Sequence, residues 1–240
     1  PILKDMPGIK VPEGFVLTTQ FYDDYLKTLG IDHLLEELSD LSLKWRSFDK
    51  DIEPRREIEA SINKISQEIK RHFEQGEIRH QQKILLERFY KQLGDETLVA
   101  VRSSNSSEDT LDASFAGQYE SILGQKGIDH IVDSVKKVWA SNFNLIPILY
   151  RIENNIDHRQ AKMGVLILQM IDARSAGTAF TVDLETGYPM ITITNSYGLG
   201  EADVSGDISP DTWIIDPKTG EVLKRRMGRS VLGWPINRAD

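Results

Sequence analysis

The stretch Val99-Ala-Val-Arg-Ser-Ser104 is where the chain changes its period. Upstream, from Asp32 to Leu93, apolar residues recur at helical spacing: Leu34, Leu35 and Leu38, then Ile58, Ile62, Ile65 and Ile69. Pro54 and Gly76 punctuate that segment into three helices, since proline starts helices well and glycine ends them. Val11–Leu17 reads as a turn feeding a short strand, and Thr18-Thr19 as the cap of a helix through Leu29. From Val99 onward the runs are short and β-rich: Thr97–Arg102, Tyr119–Leu123, Met163–Met170, Gly177–Asp183, Met190–Asn195 and Thr212–Asp216. Helices over Ile128–Asn142 and Leu145–Ile152 interrupt them. Asp183-Leu-Glu-Thr-Gly187 and Asp216-Pro-Lys-Thr-Gly220 read as hairpin loops. Helices followed by hairpins predict an α+β chain. Its expected lobes are a largely helical one over 1–96 and a mixed, hairpin-rich one over 97–240.

Composition narrows the function. The 240 residues are 40% hydrophobic and 28% charged, as in a globular protein with a real core. A net charge of −8 excludes non-specific attraction to nucleic acid or anionic lipid, so an anion site has to be a local positive pocket. The absence of cysteine excludes disulfides and thiolate chemistry and fits a reducing compartment. Apolar runs such as Gly164–Leu168 are far shorter than a bilayer span, and no signal-peptide pattern opens the chain. The expectation is a cytoplasmic protein.

The candidate chemistry gathers at the end of the Val99 run. Arg102 enters a loop, Asn105-Ser-Ser-Glu-Asp109, with Ala113-Ser-Phe-Ala-Gly-Gln118 close behind. A guanidinium can grip a phosphate with two parallel hydrogen bonds, while hydroxyls and backbone N–H groups bind the remaining oxygens. A surface ion pair of Arg102 with Glu108 or Asp109 is the alternative. Gly117 would let backbone amides approach a polyphosphate. Gln169 ends an apolar strand, and its amide needs partners at both ends, structural or ligand. The histidines His33, His72, His80, His130 and His158 lack metal-site spacing, and His158 reads as a structural hydrogen-bonding residue. Trp139, Phe143 and Tyr150 read as core. Gly198-Leu-Gly-Glu201 lacks the third glycine and βαβ context of a dinucleotide fingerprint; the roles of Glu201 and Asp211 stay open.

These pieces resemble the ATP-binding domain of the phosphoenolpyruvate synthase and pyruvate phosphate dikinase family, which rifampin phosphotransferases share. Gly8–Phe15, Val101–Asp109, Ala113–Gln118, Tyr150-Arg151 with Ile156-Asp-His158, Gln169-Met170, Gly177–Thr181 and Gly198–Glu201 follow the family's order. The resemblance implies an ATP-grasp-like architecture, ATP with Mg²⁺, and transfer of phosphate to a histidine of a swivelling domain, then to pyruvate or another small acceptor. It implies that Arg102 contacts the transferred phosphoryl group, that Gly117 and Ser121 line the nucleotide, and that Gln169 borders adenine. The family often has threonine where Ser121 stands. A Gly-Gly-Lys segment, a closing Asp-Ile-Glu-Trp, a Gln-x-Arg-Pro, the swivelling domain and the substrate domain find no match. The chain is therefore expected to be a portion inactive alone. A non-catalytic nucleotide-sensing module and an ATP-grasp carboxylate ligase are the rival readings.

Overall fold

A computed structural model describes residues 5–48, 52–104, 109–110, 113–114, 119–183, 186–199 and 209–228. The chain divides into two compact units, 1–170 and 171–240.

The first unit opens with β1 (Gly14–Leu17), α1 (Thr19–Leu26), α2 (Asp32–Ser47), α3 (Ile52–Gln75) and α4 (His80–Leu93). Next come β2 (Val99–Ser104), a two-residue pair β3 (Asp109–Thr110) and β4 (Ala113–Ser114), then β5 (Ser121–Gln125). It closes with α5 (Ile128–Ser141), α6 (Leu145–Glu153), a 3₁₀ turn (His158–Gln160) and β6 (Gly164–Gln169). The three expected helices are α2, α3 and α4. Ile62, Ile65 and Ile69 on α3 are buried, as are Leu34, Leu35 and Leu38 on α2. Thr18 makes no side-chain cap, and α1 stops at Leu26, with only single-turn bonds carrying the chain on to Leu29.

Four antiparallel strands form a sheet in the order β1-β6-β2-β5. Alternation divides its residues between two faces. Leu17, Val99, Val101, Val165 and Ile167 are buried, and α5 packs against β2, β5 and β6. Helix α5 also packs on α3, and α3 on α2, so the helices and the sheet share one core. Trp139 stands at its centre among Phe21, Tyr22 and Tyr25, and Phe73 stacks or tilts against Tyr22, Tyr25 and Phe143. The boundary expected between Glu96 and Thr97 is thus not where the contacts divide. β1 comes from the N-terminal segment yet pairs with β6, and the break falls after Met170.

The second unit holds β7 (Ser175–Ala176), β8 (Ala179–Phe180), β9 (Ile191–Tyr197), β10 (Asp211–Ile215) and β11 (Val222–Arg226). They pair antiparallel in the order β11-β10-β9-β7, with β8 also on β9. The strand expected over Gly177–Asp183 is broken at Gly177. A side chain there would collide with the Thr194 carbonyl, and the Thr178 and Thr194 hydroxyls bond at 2.7 Å. Both expected hairpin loops use the same aspartate chemistry. Asp183 accepts from the Thr186 N–H at 2.8 Å and Asp216 from the Lys218 N–H at 2.7 Å, with Gly187 and Gly220 at positive φ. Among the described residues no helix is long and apolar enough to cross a membrane.

Candidate functional site

The helix-covered face of the four-stranded sheet leaves the other face to Val16, Leu166, Leu168, Arg102 and Ser121. Three residues of β2 are buried or nearly so, and Arg102 is the first to emerge. In the ladder Arg102 stands opposite Leu166 of β6 on one side and Ser121 of β5 on the other. Directly opposed residues on neighbouring strands have Cβ atoms roughly 4.5–5.5 Å apart. A guanidinium and a hydroxyl, both exposed, therefore share one patch over a partly apolar floor. Among the described residues Arg102 has no side-chain hydrogen bond or ion pair. The alternative partners Glu108 and Asp109 lie outside the described side chains.

A β-bulge creates this pairing. Val99 pairs with Gln125, but Val101 pairs with Ile122 and Arg102 with Ser121, so β5 carries one extra residue between those pairs. Gly124 sits in the bulge at φ +68° and donates its N–H to the Met170 sulfur at 3.0 Å. Without the extra residue Ile122 would oppose Arg102 and Ser121 would face the helices, because a slip of one exchanges the two faces.

Gln169 is not brought to that patch. It pairs with Val99, three positions along β2 from Arg102, and alternation puts it on the pleat opposite to Arg102. Its own N–H goes to the Glu13 carbonyl at 2.8 Å and the next N–H, of Met170, to the Leu98 carbonyl at 2.8 Å. The backbone donors at this sheet end are thus occupied, leaving the half-buried side-chain amide for any ligand. Gly117 and Glu201 lie outside the described residues. Asp211 accepts the Gly228 N–H at 2.7 Å and so closes the end of the β10–β11 hairpin.

Beneath the sheet lies a polar network that the sequence reading missed. Arg151 of α6 is 1% exposed, yet no carboxylate pairs with it among the described residues. Its Nε–H donates to Nδ1 of His158 at 3.0 Å, and its terminal nitrogens donate to the Asn142 side-chain oxygen at 3.1 Å and carbonyl at 2.7 Å. Burial pushes the guanidinium down to about 10. Because Nδ1 of His158 accepts, Nε2 carries the proton and donates to Ser42 Oγ at 3.0 Å, which donates onward to the Leu38 carbonyl at 2.7 Å. Burial, then the adjacent Arg151 charge, lowers His158 to about 3, so the ring is neutral. The structural reading of His158 holds. A signal for Arg151 was present: it shares the apolar stripe of α6 with Ile148 and Ile152, an unusual place for a cation.

The profile of the family described as "Pyruvate phosphate dikinase, AMP/ATP-binding domain" matches residues 2–233. A "Probable phosphoenolpyruvate synthase" of Methanothermobacter thermautotrophicus is 36% identical over 226 residues, covering 92% of this chain and 31% of that protein. The phosphoenolpyruvate synthase of Aeropyrum pernix is 34% identical, covering 92% of this chain and 26% of its own length. A rifampicin phosphotransferase of Bacillus subtilis is 32% identical, with 94% and 24% covered. The chain thus spans less than a third of the length of these curated relatives.

Proposed function

This chain belongs to the pyruvate phosphate dikinase AMP/ATP-binding domain family, and on that footing we propose that it is the ATP-binding portion of a dikinase-type phosphotransferase. In the longer protein ATP would phosphorylate a histidine of a swivelling partner domain, which passes phosphate to pyruvate or another small acceptor held by a substrate domain. We assign turnover, in the cytoplasm, to that longer protein rather than to this portion alone.

The reading rests on Arg102 standing opposite Ser121 on the sheet face away from α5. Arg102 would hold two oxygens of one phosphoryl group, and the Ser121 hydroxyl would donate to a third. Negative charge spreads over these oxygens during transfer, so a fixed guanidinium stabilises the transition state more than the bound nucleotide. From the resemblance, Gly117 joins the phosphate cradle and Gln169 borders adenine with its side-chain amide. Among the described residues no cluster of three acidic or histidine side chains fits a metal ion, so Mg²⁺ is taken to arrive on the nucleotide phosphates, with no ligand assigned here.

The ATP-binding region is about as similar to a rifampicin phosphotransferase as to phosphoenolpyruvate synthases, at 32% against 34–36%. Acceptor choice therefore belongs to other parts of such proteins, and an ATP-grasp-like architecture is part of this proposal. The test is Arg102→Ala in the full-length protein, following label transfer from ATP to protein. A fall of about 100-fold or more with an unchanged melting temperature supports the reading. Unchanged autophosphorylation overturns it.

A further inference from the structure

Beyond Arg102 strand β2 runs two residues further, and Ser104 is its last. Side chains two apart on a strand project from the same face, so Ser104 shares the sheet face of Arg102, about 7 Å along the strand axis. It is exposed, and among the described residues its hydroxyl has no hydrogen-bond partner.

The floor beside it changes at the same level. On β6, Leu168 stands opposite Ala100 and Leu166 opposite Arg102, but Gly164 stands opposite Ser104. The row of apolar side chains therefore stops where Ser104 begins. Backbone approach from both sides requires this glycine. A Cβ on Gly164 would lie 3.0 Å from the Ser104 carbonyl oxygen and 3.2 Å from that of Leu17, closer than side chains normally sit. No β6 side chain thus stands across from the Ser104 hydroxyl, and the space over the glycine is left to a ligand.

Counting oxygens says what kind of ligand uses it. A terminal phosphoryl group has three free oxygens; the Arg102 fork takes two of them and the Ser121 hydroxyl the third. Ser104 lies on the diagonal from Ser121 across the β2–β5 ladder, roughly 7–8 Å away, so it adds a donor along the strand rather than around the same group. A donor displaced in that way suits the next phosphate of a linked chain.

We propose that Ser104 is a further binding residue of the phosphate site: its hydroxyl donates to the phosphate joined to the one held by Arg102 and Ser121. The polyphosphate then runs along β2 over Gly164, and the site favours linked phosphates over a single one. This rests on the reading of Arg102 and Ser121 as phosphate ligands.

The test uses the full-length protein, titrated with MgATP and then with magnesium diphosphate and orthophosphate as competitors of MgATP. Ser104→Ala removes one exposed hydroxyl from a strand end, so the melting temperature should stay where it is. MgATP and diphosphate are each expected to bind about fivefold more weakly, the worth of one hydrogen bond, while orthophosphate is unaffected. A hydroxyl that meets only water would leave all three ligands unchanged, and that result overturns the proposal. Equal losses for diphosphate and orthophosphate overturn it as well, since Ser104 would then serve a single phosphate. If Arg102→Ala and Ser121→Ala weaken MgATP and Ser104→Ala does not, the role of Ser104 alone falls. If Arg102→Ala and Ser121→Ala both leave MgATP binding unchanged, the phosphate-site reading has failed, and the role of Ser104 with it.

Discussion

Arg151 donates its Nε–H to Nδ1 of His158 at 3.0 Å, and that contact forbids the imidazolium. A proton on Nδ1 would set two donors and two positive charges against each other in a dry core.

A pH dependence of stability follows. In the unfolded chain the ring binds its proton at an ordinary 6.5, and in the fold only near 3. Between those values the unfolded state holds more protons, so stability falls as pH drops through that window and is level above it. Relative to His158→Gln, the protein should lose about 2–3 kcal/mol between pH 6.5 and 4.5, read from urea midpoints. Parallel pH profiles of the two proteins would refute the neutral-ring assignment.

Phe73 carries a second expectation, about the shared core. It touches Tyr22, Tyr25 and Phe143 and accepts the Tyr25 hydroxyl on its carbonyl at 2.5 Å. Phe73→Ala should cost about 3–5 kcal/mol in denaturant unfolding. Spectroscopic probes of the helices and of the four-stranded sheet should lose structure together. Helices melting ahead of the sheet would restore the separate lobe expected from sequence.

The periodic stretches of this chain were legible because their information is local. The isoleucines of α3 and the aspartate turns at 183 and 216 declare themselves within a few residues. The pairing of β1 with β6 was not, because strands joined across some 150 positions leave no nearby pattern. The site was half legible for the same reason. Arg102 emerges from an apolar run that anyone can read, but its opposition to Ser121 depends on a bulge that alternation alone does not reveal. Arg151 was hidden by its surroundings: a cation on an apolar helix face contradicts the rule by which cores are found.

Gly124 tests the bulge itself. Its φ of +68° suits glycine, and a side chain there has open space, so substitution acts through backbone strain alone. Gly124→Val should destabilise by about 1–2 kcal/mol. It should also weaken MgATP more than a remote substitution of equal stability cost, because relaxing the bulge turns Ser121 away. Equal effects on MgATP from both would show that the register of β5 is unimportant to the site.

The most direct measurement is a crystal structure of the full-length protein with MgATP. The account predicts phosphate oxygens within about 3 Å of both the Arg102 guanidinium and the Ser121 hydroxyl, on the sheet face away from α5. Nucleotide bound elsewhere, with Arg102 turned to solvent, would contradict it.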